Sequence, residues 1–348
     1  MPYPTPLISV VVVNWNRSEL LRSCLLSLEN QQNAPAFEVV VVDNGSSDGS
    51  VAELDRLTPR LSFPVHVIQN EANFGFCRAN NQGIAAARAE WIALLNNDAE
   101  ARPEWLGAMH RAVADRPEYG MVACKILVYE DPCKIDKAGH LIYLDGQNRG
   151  RGSGETDRGQ YDRLEEILWP DGCAAMYRSA MLQEIGGFDE DLFAYGDDAE
   201  LGMRARLAGW KCLYVPDAVV LHRRGSTLGV LSSRRVELIE RNRILLAVKH
   251  FPAGLLWANG FYSVARIGAG AIAAWRGRGE AARFRGTGEK ARLAVALLRG
   301  ALQGLAMVPT TWRKRRELRA VRRLSTKEVH ELLRRYRISL KELTEQAI

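Results

Sequence analysis

Four short runs, each stopping abruptly at polar residues, mark the first hundred positions of the chain. Leu7 to Val13 ends at Asn14-Trp15-Asn16, and Glu38 to Val42 ends at Asp43-Asn44-Gly45-Ser46-Ser47-Asp48-Gly49-Ser50. Val65 to Gln69 leads into Asn70-Glu71-Ala72-Asn73-Phe74-Gly75-Phe76, and Trp91 to Leu95 ends at Asn96-Asn97-Asp98. Runs of this length predict strands, the first and fourth of them buried. After the first, Leu20, Leu21, Cys24, Leu25 and Leu28 share one face of a helix for which Ser18 is the predicted N-cap. A helix of small residues, Cys77 to Ala89, precedes the fourth strand. Strand and helix alternating at this spacing require a mostly parallel α/β sheet with right-handed crossovers.

Beyond Asp98 the pattern is less regular. Pro103-Glu104-Trp105 starts a helix, Met121 to Leu127 reads as a strand, and Trp169 to Arg178 reads as a strand entered from the tight turn Pro170-Asp171-Gly172. A helix from Ser179 closes at Gly186-Gly187. Asp197, Asp198 and Glu200 then open an amphipathic helix whose apolar side includes Leu201, Met203 and Leu207. The helix dipole alone favours acids there. Val219 to Thr227 is a strand end carrying His222, a placement that suits a structural histidine as well as a ligand.

Composition narrows the class without naming a function. The chain has 348 residues, 47% hydrophobic and 25% charged, which is ordinary globular usage. Its six cysteines are scattered with no C-x-x-C pair, against a disulfide framework or a zinc site and in favour of a reducing cytosol. Met1 to Pro6 has no basic flank and runs straight into the first strand, too short for a signal core with its cleavage site. The net charge of +6 is local: Arg276 to Arg337 holds 18 Lys/Arg against 5 Asp/Glu, so the remainder is net acidic. No G-x-G-x-x-G follows the first strand and no G-x-x-x-x-G-K-[ST] occurs, so neither a nicotinamide-type site nor a P-loop is supported. Ligands of open α/β sheets sit outside the carboxyl ends of the strands, which makes Asp98 a candidate metal ligand. Asn-Asn-Asp also favours a plain turn.

Val10–Asn16 (VVVVNWN), Val40–Ser50 (VVVDNGSSDGS), Asn73–Ile84 (NFGFCRANNQGI) and Leu94–Glu100 (LLNNDAE) together resemble the successive signatures of the GT-A glycosyltransferases of family 2, closest to the bacterial rhamnosyltransferase-like branch. The resemblance runs through Phe251 and continues more weakly to the end. It implies a GT-A catalytic domain over residues 1–250 and a basic, amphipathic helical extension over 251–348. It also implies an inverting, divalent-metal-dependent transfer of a sugar, rhamnose from dTDP-rhamnose by branch, to a lipid-linked or surface-polysaccharide acceptor. Asp43 would bond the base or ribose of a dTDP-, UDP- or GDP-sugar. Asn14, Asn16, Asn73, Asn80, Asn96 and Asn97 would complete the donor side. Asp98 would bind Mg²⁺ or Mn²⁺ as the last residue of the motif written D-x-D, whose first acid is here Asn96, leaving fewer charged ligands. His222 would complete the metal shell. Asp197-Asp198-Ala199-Glu200-Leu201 stands where the pattern has Glu-Asp-x-Asp-Leu, which implies Asp198 as general base. Trp169, Asp171, Gly172, Asp197 and Arg241 fall on the acceptor side. The glycine- and charge-rich Gly146 to Asp162 is expected to be a mobile surface loop near the acceptor.

In the C-terminal third, Arg241-Asn242-Arg243 opens a helix whose arginines contact a diphosphate or pair with acids of the catalytic domain. Pro252 to Trp275 approaches the ~20 apolar residues of a membrane span, interrupted by Arg266. Arg292 to Val308 forms a second amphipathic helix followed by Trp312-Arg313-Lys314-Arg315-Arg316. These helices suit the interface of the inner face of the cytoplasmic membrane, and otherwise packing on the globular domain or a second subunit of a homo-oligomer. No nucleic-acid fold motif accompanies the basic stretch. Two rivals remain: a nucleotide-sugar-binding protein without catalysis, and a sugar-phosphate nucleotidyltransferase, for which Asn14-Trp15-Asn16-Arg17 lacks the glycine-rich, basic grip on a triphosphate.

Overall fold

The computed structural model describes residues 4–224, 232–283 and 286–345, so Gly225 to Thr227 of the His222 segment lie outside the described residues. The four apolar runs are strands β1 (Ile8–Asn14), β2 (Phe37–Asp43), β3 (Val65–Gln69) and β4 (Trp91–Leu95), joined by helices α1 (Ser18–Glu29), α2 (Ser50–Leu57) and α3 (Phe76–Ala86). They pair in parallel in the order β3-β2-β1-β4. Strand order reverses at β1, so the crevice outside the carboxyl ends of β1 and β4 is the switch point of the sheet.

The chain continues through β5 (Ala99–Ala101), α4 (Trp105–Val113), β6 (Tyr119–Val128) and the short strands β7 (Ile135–Lys137), β8 (His140–Ile142), β9 (Asn148–Gly150) and β10 (Glu165–Ile167). Next come β11 (Ala174–Arg178), α5 (Ser179–Ile185), α6 (Asp197–Leu207) and β12 (Lys211–His222). The full sheet runs β10-β12-β6-β11-β4-β1-β2-β3, with β5 on β12 and β7 on β6. β11 is antiparallel to both β4 and β6, which converts the parallel half into a mixed sheet. Apolar side chains fill both faces. One set lies under α1, α2 and α4, and the other lies under α3, α5 and α6 and extends to the C-terminal helices.

Those helices are α7 (Ser233–His250), α8 (Ala253–Trp275), α9 (Thr287–Ala306), α10 (Val308–Glu317), α11 (Thr326–Arg335) and α12 (Leu340–Glu345). They return to the body: Arg315 donates to the carbonyls of Val248 and Phe251, and Ile142 and Ile338 are joined by the Ile338 amide bond to the Ile142 carbonyl. Among the described residues no single helix is long and apolar enough to cross a membrane. Residues 287–306 and 308–320 pass only as a pair bent by 53°.

Two local expectations are corrected. Ser18 is the first residue of α1 rather than its cap: Arg17, at φ 67°, takes the cap position without capping the helix through its side chain, and the Ser18 amide donates to Asp48 Oδ2 at 3.0 Å. The stretch from Gly146 to Asp162 is folded rather than a mobile surface loop. Its Asn148–Gly150 pairs with β8, and Arg149 and Ser153 are buried. Its charges have partners: Asp157 and Asp162 both bind Lys125, and Arg151 bonds the Ala138 carbonyl and Glu165 and stacks over Tyr161. Paired charges carry little of the desolvation cost that keeps lone charges at the surface.

α6 approaches the segment between β10 and β11 through Gly202, where an added Cβ would lie 2.2 Å from the Cβ of fully buried Trp169. Gly202→Ala should therefore cost about 1–3 kcal/mol through overpacking. The expected readout is a lower urea midpoint at unchanged m-value; an unchanged midpoint would show that α6 can shift freely.

Candidate active site

The switch point and the far half of the sheet meet through β5. Its antiparallel register with β12 sets His222 opposite Ala99, and the Arg223 amide donates to the Asp98 carbonyl at 2.9 Å. This brings His222 Nε2 to 3.4 Å from Asp98 Oδ1. Asp98 is buried, and its Oδ1 accepts no hydrogen bond among the described residues. On its other side His222 Nδ1 meets Asp136 Oδ2 at 2.6 Å. Burial would push the Asp136 carboxyl up, but Lys137, His222 and Arg224 outweigh it and hold it at about 2. An ionised Asp136 fixes the proton on Nδ1 and aims Nε2 at Asp98. Burial would lower the His222 pKa, but Cys173, Asp136 and Asp98 hold it well above its ordinary range. A buried carboxylate oxygen without a donor, an imidazole nitrogen facing it and a carboxylate behind that imidazole fit a divalent cation held by Asp98 and His222.

A second corner lies beside the first, joined by the Asn96 amide bond to the Cys173 carbonyl at 2.8 Å. His140 Nε2 is 2.8 Å from Asp171 Oδ2 and 3.3 Å from Asp198 Oδ2. Lys137 Nζ reaches Asp171 Oδ2 at 2.6 Å. Asp198 Oδ1 accepts from the Ala199 amide at 2.7 Å, and the Gly172 amide is 3.4 Å from Oδ2. Burial pushes the Asp197 carboxyl up, reinforced by the charges of Asp198 and Asp171, to about 8. Burial would lower His140, but Asp198 and Asp171 raise it to about 9. Burial likewise opposes ionisation of Asp171, but Lys137 and His140 hold its carboxyl well below the usual range. Near neutral pH the corner thus holds a protonated Asp197 and an imidazolium at His140. The described groups could themselves hold a cation through His140, Asp171 and Asp198, but the Lys137 ammonium already occupies that side of Asp171.

The structure groups the donor-side residues unevenly. Asn14 Nδ2 donates to Asp43 Oδ2 at 3.0 Å, Asn97 Nδ2 donates to Asn14 Oδ1 at 2.7 Å, and Asp43 Oδ1 accepts from the Ser46 amide. Asn16 Oδ1 accepts from the Ser47 amide, and Asn73 Oδ1 from Asn44 and the Gly75 amide. Asn80 turns back on its own helix to the Phe76 carbonyl. On the acceptor side Trp169 is buried beneath α6 and stacks against His140, with ring centroids 6.2 Å apart. Arg241 donates to the carbonyls of Asp191 and Leu192, and Asn242 to those of Leu192, Ala194 and Tyr195. Together they clamp the loop entering α6, where Phe193 (φ 62°) and Tyr195 (φ 67°) hold left-handed backbone. Glu200, third of the acids that open α6, binds Arg204, Lys249 and His250 and belongs to the core. Asp136, Lys137 and His140 escape sequence reasoning because β7 and β8 are three residues each, too short for a period.

The fold is of GT-A architecture. The chain belongs to glycosyl transferase family 2, whose model matches residues 9–186. It is 29% identical over 249 residues to the N-acetylglucosaminyl-diphospho-decaprenol L-rhamnosyltransferase of Mycobacterium tuberculosis, covering 65% of this chain and 78% of that protein. It is 29% identical over 243 residues to the O-antigen biosynthesis protein RfbC of Myxococcus xanthus, covering 68% of this chain but 18% of that protein, so it spans about a fifth of that relative. Among solved structures it is similar to mannosyltransferase PcManGT from Pyrobaculum calidifontis in complex with GDP-Man and Mn²⁺, with TM-score 0.54 and 18% identity over 92% of this chain and 89% of that one.

The raised values give stability a pH signature. Folded His140, at about 9 against an ordinary 6.5, keeps a proton that the unfolded chain has lost, so its stabilisation is complete below 6.5 and fades as pH rises through 9. Asp197, at about 8 against an ordinary 3.8, acts in the same direction at lower pH. The melting temperature should therefore fall between pH 7 and 9.5, and His140→Gln should flatten that fall. Parallel profiles for the variant and the wild type would contradict the imidazolium.

Proposed function

We propose that the chain is an inverting, divalent-metal-dependent glycosyltransferase of the cytoplasmic membrane face. It transfers a sugar, rhamnose from dTDP-rhamnose, to a polyprenyl-diphosphate-linked glycan in surface-polysaccharide synthesis. The observation that carries the reading is the adjacency of two corners at one sheet edge: a carboxylate–imidazole pair with an unpartnered oxygen, and a carboxylate whose neighbours hold the protons. The relative from Mycobacterium tuberculosis supports a rhamnosyl group and a lipid-diphosphate acceptor, and the solved mannosyltransferase supports a nucleotide sugar with Mn²⁺.

In this reading Asp98 and His222 hold Mg²⁺ or Mn²⁺, which when bound offsets the charge gathering on the leaving diphosphate. Asn14, Asn16, Asp43, Asn73, Asn80, Asn96 and Asn97 shape the donor side around the base and ribose. The acceptor hydroxyl oxygen attacks the anomeric carbon from the face opposite the diphosphate. Its proton passes to the Asp198 carboxylate, and the breaking carbon–oxygen bond leaves its electron pair on the nucleoside diphosphate. Asp197 keeps its proton, and Asp198, the least buried of the three acids, is placed to accept this one. Asp171 and Gly172 border the acceptor hydroxyl, while Trp169 and Arg241 act from behind by fixing α6 and its entry loop.

Asp198→Asn should lower turnover by about 10²–10⁴-fold with nucleotide binding retained, since only the proton acceptor is removed. Unchanged turnover would overturn the assignment. Asp136→Asn, which touches the imidazole rather than the cation, should weaken Mn²⁺ affinity by about 10–100-fold. Asp98→Ala and His222→Ala should raise the required Mn²⁺ further, and a metal response identical to wild type would argue for a metal-free site.

A further inference from the structure

Helix α8 is built inside out. Its only charged residue, Arg266, points at the body, where Nε bonds Asp145 Oδ2 at 2.6 Å and Nη2 bonds Glu240 Oε2 at 2.7 Å. Asn259 bonds the Asp145 carbonyl, and Tyr262 packs edge-on against Tyr143. The opposite face carries Trp257, Phe261, Val264, Ile272 and Trp275, which are 90%, 74%, 72%, 54% and 86% exposed. Their spacing of three and four residues, with Gly268 completing the series, is one helical face. From Trp257 to Trp275 that face runs for about 27 Å at 1.5 Å per residue, without a charge. Water-facing surface of this size and continuity marks an interaction site.

We propose that this face of α8 seats the protein on an anionic lipid bilayer, with the helix lying in the interface plane. Leu255 and Ala273, near the two ends of α8, are both buried. The helix is thus held along the body over its length, which suits lying in the surface and opposes crossing it. Tryptophans near both ends match the preference of indole for the headgroup level. Arg276 follows directly, and exposed Arg292, Arg299, Arg313, Arg316 and Arg319 continue the basic segment. Helix α9, packed on the same α7 through Gly300 and Gly304, exposes Leu298, Leu302 and Leu305 between two of these arginines and the turn to α10. An anionic surface complements this charge, whereas a two-fold pairing of copies over the same face would set the basic segment against itself.

The site lies close behind. Arg266 holds Asp145, which follows β8, and β8 begins at His140 beside Asp198. Seating would thus bring that corner, a few residues along the chain from Asp145, to the bilayer that carries a lipid-borne acceptor, a step that rests on the transfer reading; the seating itself does not.

The test is co-sedimentation of the full chain with phosphatidylcholine vesicles, with and without phosphatidylglycerol, in the absence of donor and acceptor. A failure here would remove the membrane seat while leaving the chemistry of sugar transfer, read separately by nucleotide and Mn²⁺ binding, untouched. Wild type should partition onto the anionic vesicles and less at high salt. Trp257→Ser/Phe261→Ser/Trp275→Ser, altered only at exposed positions, should melt as wild type does and partition at least about tenfold more weakly. Equal sedimentation of the two proteins would overturn the proposal. So would a wild type that ignores the vesicles and shows by light scattering a dimer that the substitutions disperse.

Discussion

The interaction on which the active-site edge depends is the contact of His222 with Asp98. A carboxylate oxygen buried without a donor is costly unless positive charge faces it, and Asp98 Oδ1 is in that position. His222 faces that oxygen only because β12 runs long enough to pair with both β5 and β6, which carries the imidazole from the far side of the sheet to the switch point, where the two groups could share a cation. β7, attached to β6, brings Asp136 behind the ring and sets which nitrogen faces inward. Three strands that share no sequence neighbourhood are thus committed to one imidazole.

The second corner follows from the same electrostatic rule applied to three neighbouring acids. Asp171, Asp197 and Asp198 cannot all ionise so close together in a buried place. Lys137 and His140 stabilise the charge on Asp171, Asp197 keeps its proton, and Asp198 remains the least buried of the three. The structure thereby separates the roles of chemically identical side chains by what stands next to each.

How much of this was legible in the sequence depends on element length. The strands β1 to β4 are short, mostly apolar runs, and the ends of β1, β2 and β4 name Asn14, Asp43 and Asn96-Asn97-Asp98, so the parallel half and its polar edge follow from the pattern alone. The family motifs added Asp198 and His222. The strands β7 and β8 were not readable, because three residues give no period, and with them Asp136, Lys137 and His140 were lost. Charge density misled over Gly146–Asp162, since a sequence does not show that Lys125 waits for Asp157 and Asp162. Arg266 stood out as an obstacle in an apolar stretch; only the fold shows it turned onto Asp145 and Glu240, leaving an unbroken apolar face outside.

The edge built around Asp98 and His222 should bind a nucleotide together with a divalent cation. The most direct measurement is a thermal-shift panel of dTDP, UDP and GDP, each with and without Mn²⁺, on the full chain. One nucleotide should raise the melting temperature, and only when Mn²⁺ is present. A panel in which no nucleotide stabilises the protein, or in which stabilisation is indifferent to Mn²⁺, would contradict it.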